Sequence, residues 1–282
     1  MKYIKLFRVK HYIKNLLIYL PLVFSGHLLD GYLFLKTTVG VCSFSLICSV
    51  IYIINDIKDV EKDRLHPTKK ERPIAAGTIS EKLAIVLAAV SFLVAMAIGL
   101  LFFGKQGSLC LITYAFLNVL YSVKLKEVPI IDIALLVSGF FLRVLFGSVI
   151  TGITISPWLF LTVIAISFYL ALGKRRNEIR MNDHNNDATR TVLSFYNYAF
   201  LDKNMYTSLA IAIAFYAMWA ADNPINEMLW TVPLVIIISM KYSLIVEGES
   251  EGDPVEVILN DKLLLLLLLV YAITVFGLLY IF

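Results

Sequence analysis

LLLLLLLVYAITVFGLLYIF, residues 263–282, is a run of 20 residues without a single charge. Wound as an α-helix it reaches about 30 Å, the thickness of the hydrocarbon core of a bilayer. A helix that is apolar on every side has no face to offer water, so lipid is the solvent it suits. Working outward from this run, further apolar stretches are predicted near 16–34, 37–55, 82–103, 107–123, 131–150, 157–173, 206–221 and 228–246. Pro21 and His27 interrupt the first of them. The expected fold is an all-α integral membrane protein, a bundle of nine transmembrane helices forming a single domain over 1–282.

Composition agrees: 59% of the 282 residues are hydrophobic and 16% charged. A water-soluble globular protein is excluded by those proportions, and no nucleic-acid module is visible. Cys42, Cys48 and Cys110 all fall in apolar runs without a CxxC pair, so neither a disulfide framework nor a zinc site is expected. Residues 1–15 interleave Ile4, Leu6, Phe7 and Ile13 with Lys2, Lys5, Lys10 and Lys14, the pattern of a segment lying in the membrane interface. The start shows no small-residue cleavage site and reads as uncleaved.

Basic residues set the orientation. With nine spans, all but Lys36, Lys105 and Arg143 of the 25 Lys and Arg residues fall in segments on one side of the membrane. By the positive-inside rule that side is the cytoplasm, which predicts a multi-pass inner (plasma) membrane protein with its N-terminus inside and its C-terminus outside. The same bias accounts for the net charge of +4. The long polar segments 56–81 and 174–205 read as cytoplasmic loops, so chemistry is expected at the inner face.

At the inner end of the second span stands Asn55-Asp56-Ile57-Lys58-Asp59-Val60-Glu61-Lys62-Asp63. Asp56, Asp59 and Asp63 are spaced i, i+3 and i+7, one helical face. Stacked carboxylates repel one another unless a cation neutralises them, and hard oxygen ligands suit Mg²⁺ held jointly with substrate phosphates. The competing reading is a solvated helix end laced by Lys58 and Lys62. Against it, Arg64, Lys69, Lys70 and Arg72 follow in a loop broken by Pro67 and Pro73, and Gly77 precedes a helix capped by Ser80. Acids for a metal beside cations for phosphate oxygens suit a departing diphosphate.

The stretch Asn55-Asp56-x-x-Asp59-x-x-x-Asp63, followed by Lys70-x-Arg72-Pro73-Ile74-x-x-Gly77, resembles the first aspartate-rich motif of the UbiA superfamily. That resemblance implies an intramembrane, helical, Mg²⁺-dependent transferase in which Asn55, Asp56, Asp59 and Asp63 hold metal-bound diphosphate. Typical members carry a second aspartate-rich motif on the later cytoplasmic loop. Here that position reads Leu172-Gly173-Lys174-Arg175-Arg176, three cations in place of carboxylates. These suit a phosphate bound without a second metal, or else simply anchor a helix end.

The wording of the chain is similar to one branch of the superfamily, the polyprenyl-phosphate phosphoribosyltransferases. The likeness runs through Lys10-x-x-x-Lys14-Asn15-Leu16, Arg64-x-His66-Pro67-Thr68-Lys69, Tyr121-Ser122-x-x-Leu125-Lys126, Asp132-Ile133, Ser138-Gly139-Phe140-x-x-Arg143, Gly173-Lys174-Arg175 and Asp253-Pro254-x-Glu256. The resemblance implies 5-phosphoribosyl diphosphate (PRPP) as donor, a polyprenyl phosphate as acceptor and a role in arabinosyl-donor and envelope polysaccharide synthesis. Three anionic groups then need one metal cluster and two basic pockets. Lys174, Arg175 and Arg176, with Lys124 and Lys126, are candidates for the 5-phosphate or the lipid phosphate, while Lys10 and Lys14 are expected at headgroup level. Arg143, deep in an apolar span, is structural or substrate-facing. Asp132 is expected in a cavity near the inner surface, too far along the helix to pair with it. The acids of 247–256 read as a solvated face or lid, and only the resemblance raises Asp253 and Glu256. Rival readings are an aromatic prenyltransferase using polyprenyl diphosphate, and a lipid-binding or transport protein. The state of assembly, a homo-oligomer included, is left open.

Overall fold

A computed structural model describes residues 2–185, 191–248 and 254–281; Asp253 lies outside them, and the expected acidic stretch 247–256 falls partly outside. All regular structure among the described residues is helical. In chain order the α-helices are α1 (Lys2–Leu6), α2 (Leu20–Phe24), α3 (Gly31–Lys58), α4 (Val60–Leu65), α5 (Glu81–Val123), α6 (Ile131–Thr151), α7 (Pro157–Asn185), α8 (Tyr198–Ala221), α9 (Thr231–Glu247), α10 (Pro254–Asn260) and α11 (Lys262–Tyr280). Side-chain caps fix several starts: Asp30, Ser80, Asn197 and Asp261 accept from the backbone N–H three residues on. These bonds satisfy donors that a helix N-terminus otherwise leaves orphaned. Ser80 is the cap expected from sequence.

Among the described residues seven helices are long and apolar enough to cross a membrane. One of them, α5, has 43 residues, and Gly104 within it takes φ 65°, ψ −162°. Only glycine adopts that conformation without strain, so the helix is two passes joined at a kink, matching the expected runs 82–103 and 107–123. The expected first run, 16–34, forms no continuous helix, so nine continuous membrane helices are not reproduced among the described residues. Residues Val9–Tyr19 form a 3₁₀-helix instead, followed directly by α2. At about 2 Å per residue for 3₁₀ and 1.5 Å for α, the two pieces together reach about 30 Å. Fewer residues thus reach that length, and the helical segment begins earlier in the chain than the apolar run marked by hydropathy.

Side-chain pairs show how this segment runs. Arg8 meets Asp56, Tyr12 Oη lies 2.7 Å from Ser49 Oγ, Asn15 Nδ2 donates to Ser45 Oγ at 2.8 Å, and Tyr19 Oη lies 2.6 Å from Thr38 Oγ1. The segment therefore descends antiparallel along α3. Lys14, beside Asn15, sits at the depth of mid-α3 rather than at headgroup level, a correction to the sequence expectation. Gly147 permits the close approach of this segment to α6: a Cβ there would stand 2.1 Å from the Ile18 carbonyl oxygen.

The expected loop 174–205 is also corrected. Helix α7 continues through Lys174–Arg180, residues that favour helix, and α8 has begun by Tyr198. A polar, charged stretch looks like a loop to hydropathy, yet its backbone bonds are satisfied by prolonging the helix beyond the apolar pass.

Packing divides the chain into two compact units. The first comprises Met1–Leu22, His27–Val123 and Leu142–Ile153, with a buried cluster that joins Leu6, Val50, Ile53, Val60, Ile74 and Ile79. The second comprises Val23–Gly26, Lys124–Phe141 and Thr154–Phe282, with α7 packed along α8 around Tyr169, Leu172, Leu201, Met205 and Val246.

Candidate active site

In the first unit the acidic motif lies where α3 gives way to α4. Asp59 stands at the junction with φ −98°, ψ 11°. Its N–H donates to Asn55 O at 2.9 Å and its carbonyl accepts from Asp63 N at 2.8 Å, so the helical bonding is carried across the joint. Asp56 and Asp63 are 2% and 4% exposed. Both accept from one guanidinium: Arg72 Nη1 lies 3.1 Å from Asp56 Oδ1 and 2.6 Å from Asp63 Oδ2. The two buried carboxylates thus converge on a single point, as the shared helical face requires. Asp59 is half-buried and takes no ion pair among the described residues, and Asn55 beside it is half-buried too.

The loop that follows is folded to hold Arg72 there. Ile74 and Ile79 are each 2% exposed and anchor it in the core. Ala76 N donates to Arg72 O, Ile79 N and Thr78 Oγ1 donate to Pro73 O, and Gly77 at φ 70° makes the return. Lys69, Lys70 and Arg64 are exposed around the rim, Arg64 pairing with Glu61 at 2.8 Å. Lys58 donates to the Ser122 carbonyl at 2.6 Å, so it braces the end of α5 instead of lacing the acidic face.

Sequence reading missed Arg8. Its Nη2 donates to Asp56 Oδ1, the oxygen that Arg72 also reaches, and its guanidinium lies 4.8 Å from the centroid of the Tyr52 ring. Nothing in the local sequence marks it, because its partner is 48 residues away.

Asn15 and Arg143, both expected site residues, meet each other. Arg143 Nε donates to Asn15 Oδ1 at 2.8 Å, its Nη2 reaches Tyr114 Oη at 3.1 Å and Cys48 Sγ at 3.5 Å, and the guanidinium lies over the Phe44 and Tyr114 rings. At 6% exposure Arg143 ties the 3₁₀ segment to its own unit. Of the two roles left open by sequence, this geometry favours the structural one.

In the second unit Asp132 and Arg175 are each fully buried. Arg175 Nε donates to Asp132 Oδ2 at 2.7 Å and Nη1 to Glu178 Oε2 at 2.6 Å. Tyr196 donates to Asp132 Oδ1 at 2.5 Å and accepts from Ile130 N at 2.6 Å. Burial and the hydrogen bond to Asp132 push the Tyr196 phenol up to about 12. Asp132 is therefore the anion of a sealed network and not a cavity residue, and Arg175 is committed to protein carboxylates. Its neighbours differ. Arg176 Nε donates to Asp202 Oδ1 at 2.6 Å at a part-exposed position, Lys174 and Lys126 are part-exposed, and Lys124 is exposed. In the first unit Lys10 is exposed and Tyr121 half-buried, and in the second Glu256 is exposed at the start of α10.

Two buried carboxylates aimed at one point, with arginines beside them, suit a site for a hard divalent cation and a polyphosphate. Among the described residues no three His, Cys, Asp or Glu side chains form a ready-made metal cage. Mg²⁺ needs none, since it is commonly held by one or two carboxylates with water and substrate phosphates completing its shell. The donor set fits.

The family described as UbiA prenyltransferase matches residues 17–254, and the chain belongs to that family. It is a multi-pass membrane protein of the transferase class. It is 35% identical to the decaprenyl-phosphate phosphoribosyltransferase of Corynebacterium glutamicum, over 99% of this chain and 86% of that one. Its likeness to the protein of the same name from Mycobacterium tuberculosis is 30% identity over 96% of this chain and 92% of that one. The solved structure of a UbiA homolog from Archaeoglobus fulgidus bound to DMAPP and Mg²⁺ superposes with a TM-score of 0.74 at 18% identity, covering 98% of this chain and 99% of that one, a likeness of fold.

Proposed function

We propose that this protein transfers 5-phosphoribosyl from PRPP to a polyprenyl phosphate of the decaprenyl type, releasing diphosphate. The observation that carries the reading is similarity along nearly the whole chain to relatives named decaprenyl-phosphate phosphoribosyltransferase. The site is consistent with it: α7 carries Lys174, Arg175 and Arg176 where a metal for a second, prenyl-bearing diphosphate would need carboxylates.

In this reading Asp56 and Asp63, with Asn55 and Asp59, hold Mg²⁺, and Arg72, Lys69, Lys70 and Arg64 attend the diphosphate. Bound Mg²⁺ would neutralise charge on the leaving diphosphate. Lys124, Lys126, Lys174 and Arg176 are candidates for the 5-phosphate and the lipid phosphate, with Arg175 and Asp132 positioning the helix that carries two of them. A lipid phosphate oxygen forms the new bond to the anomeric carbon as the bond to diphosphate breaks, the electron pair leaving with the diphosphate. The attacking phosphate is already anionic at neutral pH, so the chain needs no general base, and positioning with electrostatics dominates. The motif faces the cytoplasm, where PRPP is soluble, with the N-terminus inside and the C-terminus outside.

The test incubates purified protein with ribose-labelled PRPP and a polyprenyl phosphate, with and without Mg²⁺. Mg²⁺-dependent label in the lipid phase is expected. Absence of such label, with prenyl transfer from a polyprenyl diphosphate to an aromatic acceptor, would replace this reading by the prenyltransferase one.

A further inference from the structure

Arg8 is held in place by more than its ion pair. Its backbone sits in the left-handed region at φ 49°, ψ 47°, which a non-glycine residue adopts only where its surroundings impose it. On one side Leu6 is fully buried and the Phe7 carbonyl accepts from Ser49 Oγ at 3.0 Å. On the other, Tyr12 is tied to the same Ser49 at 2.7 Å. Tyr52 backs the guanidinium. The fold therefore delivers a cation to Asp56 Oδ1, where Arg72 already donates.

The two buried carboxylates, Asp56 and Asp63, are matched by Arg8 and Arg72, and Asp59 adds a third negative charge at the part-exposed edge. A bare divalent cation entering this site would have to displace guanidinium groups from Asp56 and then sit beside them, like charges in a partly desolvated place. A cation arriving with diphosphate meets no such conflict, because the phosphate oxygens accept the displaced guanidinium groups.

We propose that Arg8 is a counter-ion of Asp56 that exchanges onto the donor's diphosphate, so that metal and diphosphate bind strongly only together. This rests on the reading of Asp56 and Asp63 as holders of the metal-bound diphosphate.

The experiment uses the full-length protein in detergent with Mn²⁺ and inorganic pyrophosphate as probes. Bare Mn²⁺ affinity is read by electron paramagnetic resonance, and pyrophosphate affinity in saturating Mg²⁺ by calorimetry. For Arg8→Gln, bare Mn²⁺ should bind several-fold more tightly, while pyrophosphate should bind about tenfold to a hundredfold more weakly, the loss expected for a charged hydrogen bond. Arg8→Lys, which keeps the charge but not the planar fork, should stay near wild type for bare Mn²⁺ and fall between the two for pyrophosphate. Both affinities dropping together in both variants would mark Arg8 as a structural staple and overturn the proposal, as would affinities within twofold of wild type. Those outcomes in protein that transfers label from PRPP would leave the assigned function standing. Opposite shifts in protein that transfers none would uphold the exchange and remove PRPP as donor.

Discussion

Arg175 Nε lies 2.7 Å from Asp132 Oδ2 with both side chains shut off entirely from solvent. A buried ion pair of this kind contributes little over a well-packed apolar pair, yet removing one partner leaves a charge with nothing to offset its lost hydration. Here the pair joins α6, α7 and Tyr196 within the second unit. Its effect is to set the direction of the helix that carries Lys174 and Arg176.

Asp132→Ala should cost about 3–5 kcal/mol of stability, since it strands Arg175. The double variant Asp132→Leu/Arg175→Met should lose less than either single removal. Unfolding in detergent reads both, and a cost for Asp132→Ala within about 0.5 kcal/mol, as at ordinary surface sites, would show the network to be idle.

Tyr196 gives the same network a pH signature. Its phenol is raised from an ordinary 10 to about 12 in the folded protein, chiefly by burial. An unfolded chain then releases the proton first, so the contribution is complete below pH 10 and is lost as pH rises toward 12. Alkaline unfolding should show a Tyr196-dependent component in that window, absent from Tyr196→Phe.

Gly147→Ala should destabilise the first unit by about 1–3 kcal/mol, because the added methyl would meet a backbone carbonyl instead of a side chain that can turn away. Gly277→Ala in α11 is the control. Nothing stands within 4 Å of its Cβ, and alanine favours helix there. Equal melting temperatures for the two variants would contradict the close approach of the 3₁₀ segment to α6.

Asn15 and Arg143 should prove energetically coupled. In a double-mutant cycle with Asn15→Ala and Arg143→Ala, an interaction of about 0.5–3 kcal/mol is expected. Additive losses would mean that Arg143 does not hold the 3₁₀ segment.

Asp56→Asn and Asp63→Asn should each lower turnover by more than about a hundredfold while the protein stays folded, and chelation should abolish activity until Mg²⁺ is restored. Full turnover in either variant would take the metal away from this cluster.

The sequence by itself determined the membrane bundle, the two apolar runs that α5 contains, the Ser80 cap and the aspartate motif with its basic loop. Each is encoded within a window of a turn or a span: length of apolar run, i to i+7 spacing, a capping serine before a helix; the kink at Gly104 that joins the two runs into one helix came with the structure. Tertiary structure alone decided that Arg8 rather than a nearby lysine meets Asp56, that Arg143 and Asn15 share a node, and that Arg175 is taken up by Asp132. It also decided that a 3₁₀ segment starting at Val9 follows α3 where hydropathy placed a helix from residue 16. These are pairings between residues dozens of positions apart, and their partners are selected by burial, since a charge sealed from water must find its complement wherever the packed chain happens to bring one.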